Sequence, residues 1–191
     1  MMKKKDLSRE AILRAAEALI QKWGIHKTTL EDVAREAGKG KSAIYYHFPN
    51  KEALIEAVAV VQAERIVAAV RQEVKRQETA KAKLLAYVTT AFRETRRAAA
   101  LFEIAKGELR ADRALIQKVM ERYRALQEKE VEEILRFGNR RKEFRSIGGR
   151  DVHAVARAVV TVMRSLILDL FLESDDRKSF DLIIEILSGG L

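Results

Sequence analysis

Along most of this chain, hydrophobic residues recur every three or four positions rather than in strict alternation, which predicts helices and leaves no strand signal. In the first quarter, Ile12, Leu13, Ala16, Leu19, Ile20 and Trp23 share one stripe. They mark a helix that starts at Ser8, whose hydroxyl can cap an exposed backbone N–H, and ends at Gly24. Thr28 or Thr29 can cap the next helix; Thr28 has Glu31 three residues on, the spacing of a capping box. That helix is short, with Leu30, Val33, Ala34 and Ala37 inward. Ala34 is small enough for a close helix crossing, and Gly38 can take the positive φ of a tight interhelical turn. A third helix then runs from Gly40 or Lys41 to Tyr46, with Ile44 and Phe48 turned inward.

The pattern changes after Pro49-Asn50, which end one helix and cap the next. From 51 to about 76, Leu54, Ile55, Val58, Val61, Ile66, Val70 and Val74 lie on one amphipathic helix with no Gly or Pro inside it, a rigid lever. Further segments are expected at about 79 to 97, 99 to 107, 111 to 138, 150 to 173 and 176 to 188. The reading is an all-α chain of about nine helices. A three-helix head occupies residues 1–50, and a helical bundle body occupies 51–191. The polar run 138–145 reads as a solvated connection, and Arg140, Arg141, Lys142 and Arg145 within it as surface charge rather than a second nucleic-acid site.

Composition agrees with a folded helical protein: 191 residues, 48% hydrophobic, with one proline, are enough for a sizeable core. The absence of cysteine removes disulfides, thiol catalysis and thiolate metal sites, and fits a reducing compartment. The three histidines, His26, His47 and His153, have no metal-ligand spacing, and neither a phosphate loop nor a nucleophile motif is present. The expectation is therefore no enzyme, no metal and no cofactor. The basic start, Met1 to Lys5, is followed by Asp6, Arg9, Glu10 and Arg14 where a signal peptide needs an apolar region. The longest apolar stretch, 158 to 172, is broken by Arg164 and Asp169, short of the roughly 20 residues that a membrane span takes. A soluble cytoplasmic protein without membrane association is expected.

Charge sharpens the division of labour. The net charge is +9. Residues 1 to 51 hold eleven Lys or Arg against six acids, and the other 140 residues hold 26 against 22. The head is thus the part expected to meet a polyanion. Lys41 and Lys51 can neutralise phosphates, while Thr28, Ser42 and the hydroxyls of Tyr45 and Tyr46 can hydrogen-bond phosphate oxygens. Ala43 and Tyr45 can reach base edges or thymine methyls, with His47 on or near the same outer face. The third helix offers no Asn, Gln or Arg for bidentate base readout, so backbone and shape are expected to contribute strongly.

Ala15-Ala16 through Trp23-Gly24, then Thr28-Thr29-Leu30-Glu31-Asp32-Val33-Ala34-Arg35-Glu36-Ala37-Gly38, then Ile44-Tyr45-Tyr46-His47-Phe48-Pro49-Asn50-Lys51-Glu52-Ala53-Leu54 resembles the DNA-binding head of the TetR family of transcriptional regulators over about residues 8 to 55. The resemblance implies a helical homodimer whose heads bind a palindromic double-stranded DNA operator, and a body that dimerises and holds a small-molecule inducer. It also implies that Thr28, Lys41, Ser42, Ala43, Tyr45, Tyr46, His47 and Lys51 sit where members touch DNA. Lys39 and Gly40 depart from the usual apolar residue followed by Ser or Thr; Lys39 then adds a phosphate contact, and Gly40 in place of a hydroxyl cap costs only a few tenths of a kcal/mol. A non-specific nucleoid or scaffold protein is the alternative, distinguished by similar binding to many sequences.

In the body, Tyr87, Phe92, Phe102, Met120, Tyr123 and Met163 are the candidate pocket residues, aromatic or flexible apolar side chains on helices that by the resemblance surround a cavity. Few charges interrupt these stripes, so an apolar or amphipathic ligand is expected. Segment 150 to 173 is apolar on nearly all sides. Val155, Val159, Met163, Leu166 and Leu170, with Ile183 and Leu187 on the last segment, are the candidates for a two-fold four-helix interface; a buried core helix in a monomer is the other solution.

Overall fold

The computed structural model describes residues 4–101, 113–144 and 147–172. These residues are all-helical, with seven helices among them: α1 (Lys4–Lys27), α2 (Leu30–Glu36), α3 (Lys41–His47), α4 (Lys51–Lys75), α5 (Ala80–Leu101), α6 (Arg113–Arg141) and α7 (Gly149–Leu172). The helices expected at 99 to 107 and 176 to 188 fall wholly or mostly outside the described residues. None of the described helices is long and apolar enough to cross a membrane.

The chain divides into two compact units, residues 1–63 with 98–119, and residues 64–97 with 120–191. The first unit thus takes in the head and the opening half of α4. Its core brings Ile12, Ala16 and Ile20 of α1 against Leu30, Val33 and Ala34 of α2, Ile44 and Phe48 of and just after α3, and Leu54 and Val58 of α4. The small side chains of Ala16 and Ala34 let these short helices approach closely.

Local chemistry sets the helix ends, with one difference from the sequence-based expectation, at the start of α1. Helix α1 begins at Lys4 rather than Ser8, because Lys4-Lys5-Asp6-Leu7 contains nothing that breaks a helix and Asp6 suits a first turn. Its regular path stops at Gly24, whose φ of 83° and ψ of 175° are not helical. Of the two candidate caps, Thr29 is the one: its Oγ1 accepts from the Asp32 amide at 3.1 Å. Helix α2 ends in a Schellman turn in which the amide of Lys39 donates to the Ala34 carbonyl at 2.8 Å and that of Gly38 to the Arg35 carbonyl at 3.1 Å. Gly38 has φ 62°, which an L side chain adopts only at a cost. Asn50 caps α4 through Oδ1, which accepts from the Ala53 amide at 2.8 Å.

The second unit packs Val70 and Val74 of α4, Tyr87 and Ala91 of α5, Val131, Ile134 and Leu135 of α6, and Val152, Ala156 and Val160 of α7 into one core. Among the contacts on its surface, Arg71 pairs with Glu130, and His153 meets Glu132 at 2.6 Å. Burial pushes the Tyr87 phenol well above its ordinary range.

Gly138 does not end the sixth helix, contrary to the boundary that the polar run suggests. It lies buried inside α6, where an added Cβ would run into the Phe144 ring and come within 2.8 Å of the Ala80 Cβ. The helix stops at Arg141, in a second Schellman turn with Lys142 in the left-handed position at φ 58°; the Glu143 amide donates to the Gly138 carbonyl at 2.9 Å. Arg140 to Glu143 at this turn are exposed, as a solvated connection requires, while Ile147 is held to the helix. Asn139 bonds both the carbonyl of Ile147, at 2.8 Å, and its amide, at 3.3 Å. Lys142→Gly is therefore expected to raise the melting stability by about 1 kcal/mol, by removing left-handed strain from an exposed residue. Gly138→Ala should lower it by about 1–3 kcal/mol through overpacking. Denaturant titrations of the two variants should move in opposite directions, and a shared sign would show that the turn does not set the helix end.

Candidate nucleic-acid interface

Helix α3 is seven residues long, too short to persist alone, and is held by its underside. Ile44 is fully buried and Phe48 nearly so, which fixes the opposite face outward. On that face Tyr46 is 68% exposed and Tyr45 41%; Lys41 and Ser42 are exposed, while Ala43 and His47 are half-buried. Lys39, on the turn before the helix, is exposed as well. The same spacing that sends Ile44 and Phe48 inward thus presents the expected outer set on one short helix.

Several of these groups already have partners. Glu31 on α2 accepts two bonds on one oxygen, from Lys41 Nζ at 3.0 Å and from the Tyr45 hydroxyl at 3.1 Å. The Lys41 ammonium also lies 5.7 Å from the centre of the Tyr45 ring, within cation–π range. The bond from Lys41 is the main reason the Glu31 carboxyl is held below the usual carboxylate range, and the same bond raises the Lys41 ammonium above its own. Lys51 Nζ donates to the His26 carbonyl at 3.0 Å, so its charge sits at the carbonyl end of α1. Arg9 of α1 stacks over the Phe48 ring at 5.5 Å.

Thr28 is placed differently from the rest of the expected set. It is 3% exposed, and its hydroxyl donates to the Gly24 carbonyl at 2.7 Å. In the free protein its hydroxyl proton thus closes the end of α1. Two further residues, Glu31 as a partner of the third helix and Arg9 beside Phe48, have no counterpart in the sequence-based set. No periodic signal links Glu31 with Lys41, since they lie on separate helices and meet only because the turn at Gly38 folds α3 back across α2.

In the body, Tyr87, Phe92, Tyr123 and Met163 are all buried, and Tyr87 is part of the second unit's core. Phe102 and the side chain of Met120 lie outside the described residues. Of the expected interface residues, Met163 is buried, Val155 and Val159 are half-buried against the chain's own core, and Leu166 is half-buried. The side of α7 left exposed carries Ala154, Ala158 and Val162 instead, Val162 being 58% exposed. The side chains of Leu170, Ile183 and Leu187 lie outside the described residues.

Residues 12–58 match the family model of bacterial regulatory proteins of the tetR family. The HTH-type transcriptional regulator TtgR of Pseudomonas putida is 45% identical over 51 residues, which are 27% of this chain and 24% of that protein. The aligned part thus spans about a quarter of the length of this curated relative. The transcriptional regulator of Cytophaga hutchinsonii ATCC 33406 superposes with a TM-score of 0.71 at 25% identity, covering 94% of this chain and 92% of the other. The regulator FadR of Bacillus subtilis, solved in complex with stearoyl-CoA, shares the fold with a TM-score of 0.61 at 20% identity, over 95% of this chain and 98% of that one. The match to bacterial regulatory proteins of the tetR family thus falls on the helix-turn-helix head, residues 12–58.

Proposed function

We propose that the protein is a cytoplasmic, ligand-responsive repressor that binds a palindromic DNA operator as a homodimer. The observation that carries this reading is α3 itself, a short helix pinned by buried Ile44 and Phe48 that presents Lys41, Ser42, Tyr45 and Tyr46 outward. Its dimensions suit a major groove. Lys39, Lys41 and Lys51 serve phosphates, Ser42 and the hydroxyls of Tyr45 and Tyr46 hydrogen-bond the backbone, and Ala43 and the Tyr45 ring read base edges. His47 lines the edge of the interface. Thr28 acts indirectly, by holding the end of α1.

Helix α4 provides the coupling. It is one unbroken helix whose first half belongs to the head's unit and whose second half belongs to the other. Within the first unit it is tied to α1 by the bond from Lys51 to His26 and by that from Gln62 to Glu17, at 2.7 Å. A ligand that shifts α4 therefore shifts the head with it. Two heads of a dimer must stand about 34–36 Å apart to enter successive major grooves, and a change in that spacing lowers operator affinity. By linkage the operator lowers ligand affinity by the same factor. An apolar or amphipathic ligand suits buried Tyr87, Phe92, Tyr123 and Met163, and the stearoyl-CoA held by the FadR of Bacillus subtilis is a ligand of that character. For the dimer, the exposed Ala154, Ala158 and Val162 flank of α7, bordered by Val155, Val159 and Leu166, supplies an apolar face with small residues for close approach.

Selection of bound fragments from genomic DNA, together with sedimentation of the free protein, tests the proposal. The expected result is a dimer that enriches one palindrome by roughly three or more orders of magnitude over bulk DNA. Uniform recovery of fragments would support a non-specific DNA-binding protein in its place.

A further inference from the structure

We propose that Glu31 is a built-in competitor for the DNA backbone, which holds Lys41 and the Tyr45 hydroxyl in the free protein and thereby sets the affinity of the head for any duplex. The inference rests on the reading of α3 as a DNA-facing helix. One carboxylate oxygen of Glu31 accepts from Lys41 Nζ at 3.0 Å and from the Tyr45 hydroxyl at 3.1 Å. These are two of the groups that a phosphate would engage. A phosphate oxygen offers the same acceptor chemistry as the carboxylate, so the two compete for the same donors.

Three observations give Glu31 this task rather than a structural one. The side-chain cap of α2 is made by Thr29 with Asp32, so Glu31 adds only a first-turn charge and a bond to its own amide there. The Glu31 and Lys41 side chains are 45% and 71% exposed, and a pair so open to water adds little to stability. Nothing apolar depends on it, because α3 is anchored by Ile44 and Phe48 on the opposite face. Its effect therefore falls on binding. Lys41 must leave the carboxylate to displace a counterion from DNA, and Glu31 then stands as an uncompensated negative charge beside the phosphates. In the free protein the bond from Lys41 holds the Glu31 carboxyl below the usual carboxylate range, so the charge is in place before DNA arrives.

Binding of the intact protein to a random-sequence duplex across a salt series tests this, with Glu31→Gln set beside Glu36→Gln, an exposed acid of α2 that removes the same charge. Glu31→Gln should bind about fivefold more tightly near physiological salt, because Lys41 then leaves no carboxylate to reach a phosphate. Glu36→Gln should stay within about twofold of the parent. In a Lys41→Gln background, Glu31→Gln should lose most of its gain. Equal tightening by Glu31→Gln and Glu36→Gln would reduce the effect to net charge and overturn the proposal. So would a Glu31→Gln protein that binds no better than the parent. If neither the parent nor the variant binds duplex, the DNA-binding reading fails and this inference falls with it, an outcome distinct from binding that ignores Glu31.

Discussion

Ile44→Ala is expected to lower the stability of the head by about 2–5 kcal/mol and to abolish duplex binding. Ile44 is fully buried and is the inward anchor of a helix of only seven residues. Helix α2 has the same length, and helices this short draw nearly all their stability from packing. Truncation leaves a cavity in the core shared by α1, α2 and α3, and the methyl side chains of Ala16 and Ala34 in that core are too small to fill the gap. The single tryptophan, Trp23, lies on α1 of this unit and is 39% exposed, so its fluorescence reports head unfolding directly. Tyr46→Ala is the control on the same helix. At 68% exposure it should leave the melt within about 0.5 kcal/mol. An Ile44→Ala protein that melts with the parent would mean that α3 is not held by its underside.

Replacing Lys39, Lys41 and Lys51 together by alanine should cost the protein roughly a hundredfold in affinity for duplex DNA near physiological salt. The slope of log K against log salt should become shallower by about 3, at roughly 0.9 for each phosphate no longer neutralised. All three carry their charge on the head: Lys39 and Lys41 are exposed around the turn and start of α3, and Lys51 reaches the carbonyl end of α1. The fold should tolerate the change, because none of the three is buried. An unchanged slope would place the polyanion elsewhere, and Arg140, Arg141 and Lys142 at the end of α6 would be the next residues to replace.

Much of the head is legible in the sequence because its signals are local. The stripe of Ile12, Ala16 and Ile20, the glycine at 38, and the inward spacing of Ile44 and Phe48 each act over three to ten residues. Capping is legible only in part. Thr28 carries the more familiar spacing to Glu31, yet Thr29 makes the cap, because Thr28 turns inward to the Gly24 carbonyl. That choice depends on how α1 stops, which no motif at Thr28 records. Gly138 misleads for a similar reason. A glycine in a polar run resembles a helix end, but here its lack of a side chain makes room for Phe144, six residues further on. In the body, a helix apolar nearly all round leaves open which side its own core takes. The structure gives that side to Val152, Ala156 and Val160, which leaves Ala154, Ala158 and Val162 outward.

By itself, then, the sequence determined the helical class, the three-helix head, the residues on the outer side of α3 and the concentration of positive charge in the first fifty residues. Periodicity and helix punctuation are properties of the chain over one or two turns, so they survive without knowledge of what packs where. Which partners those outward groups have follows from how the helices pack. Glu31 meets Lys41 and Tyr45, and Lys51 meets His26, across turns whose geometry rests on packed Ile44 and a left-handed Gly38. A single carboxylate on the neighbouring helix therefore bears on how much of the head's positive charge is available to a phosphate, because charge acts through distance in space rather than separation along the chain.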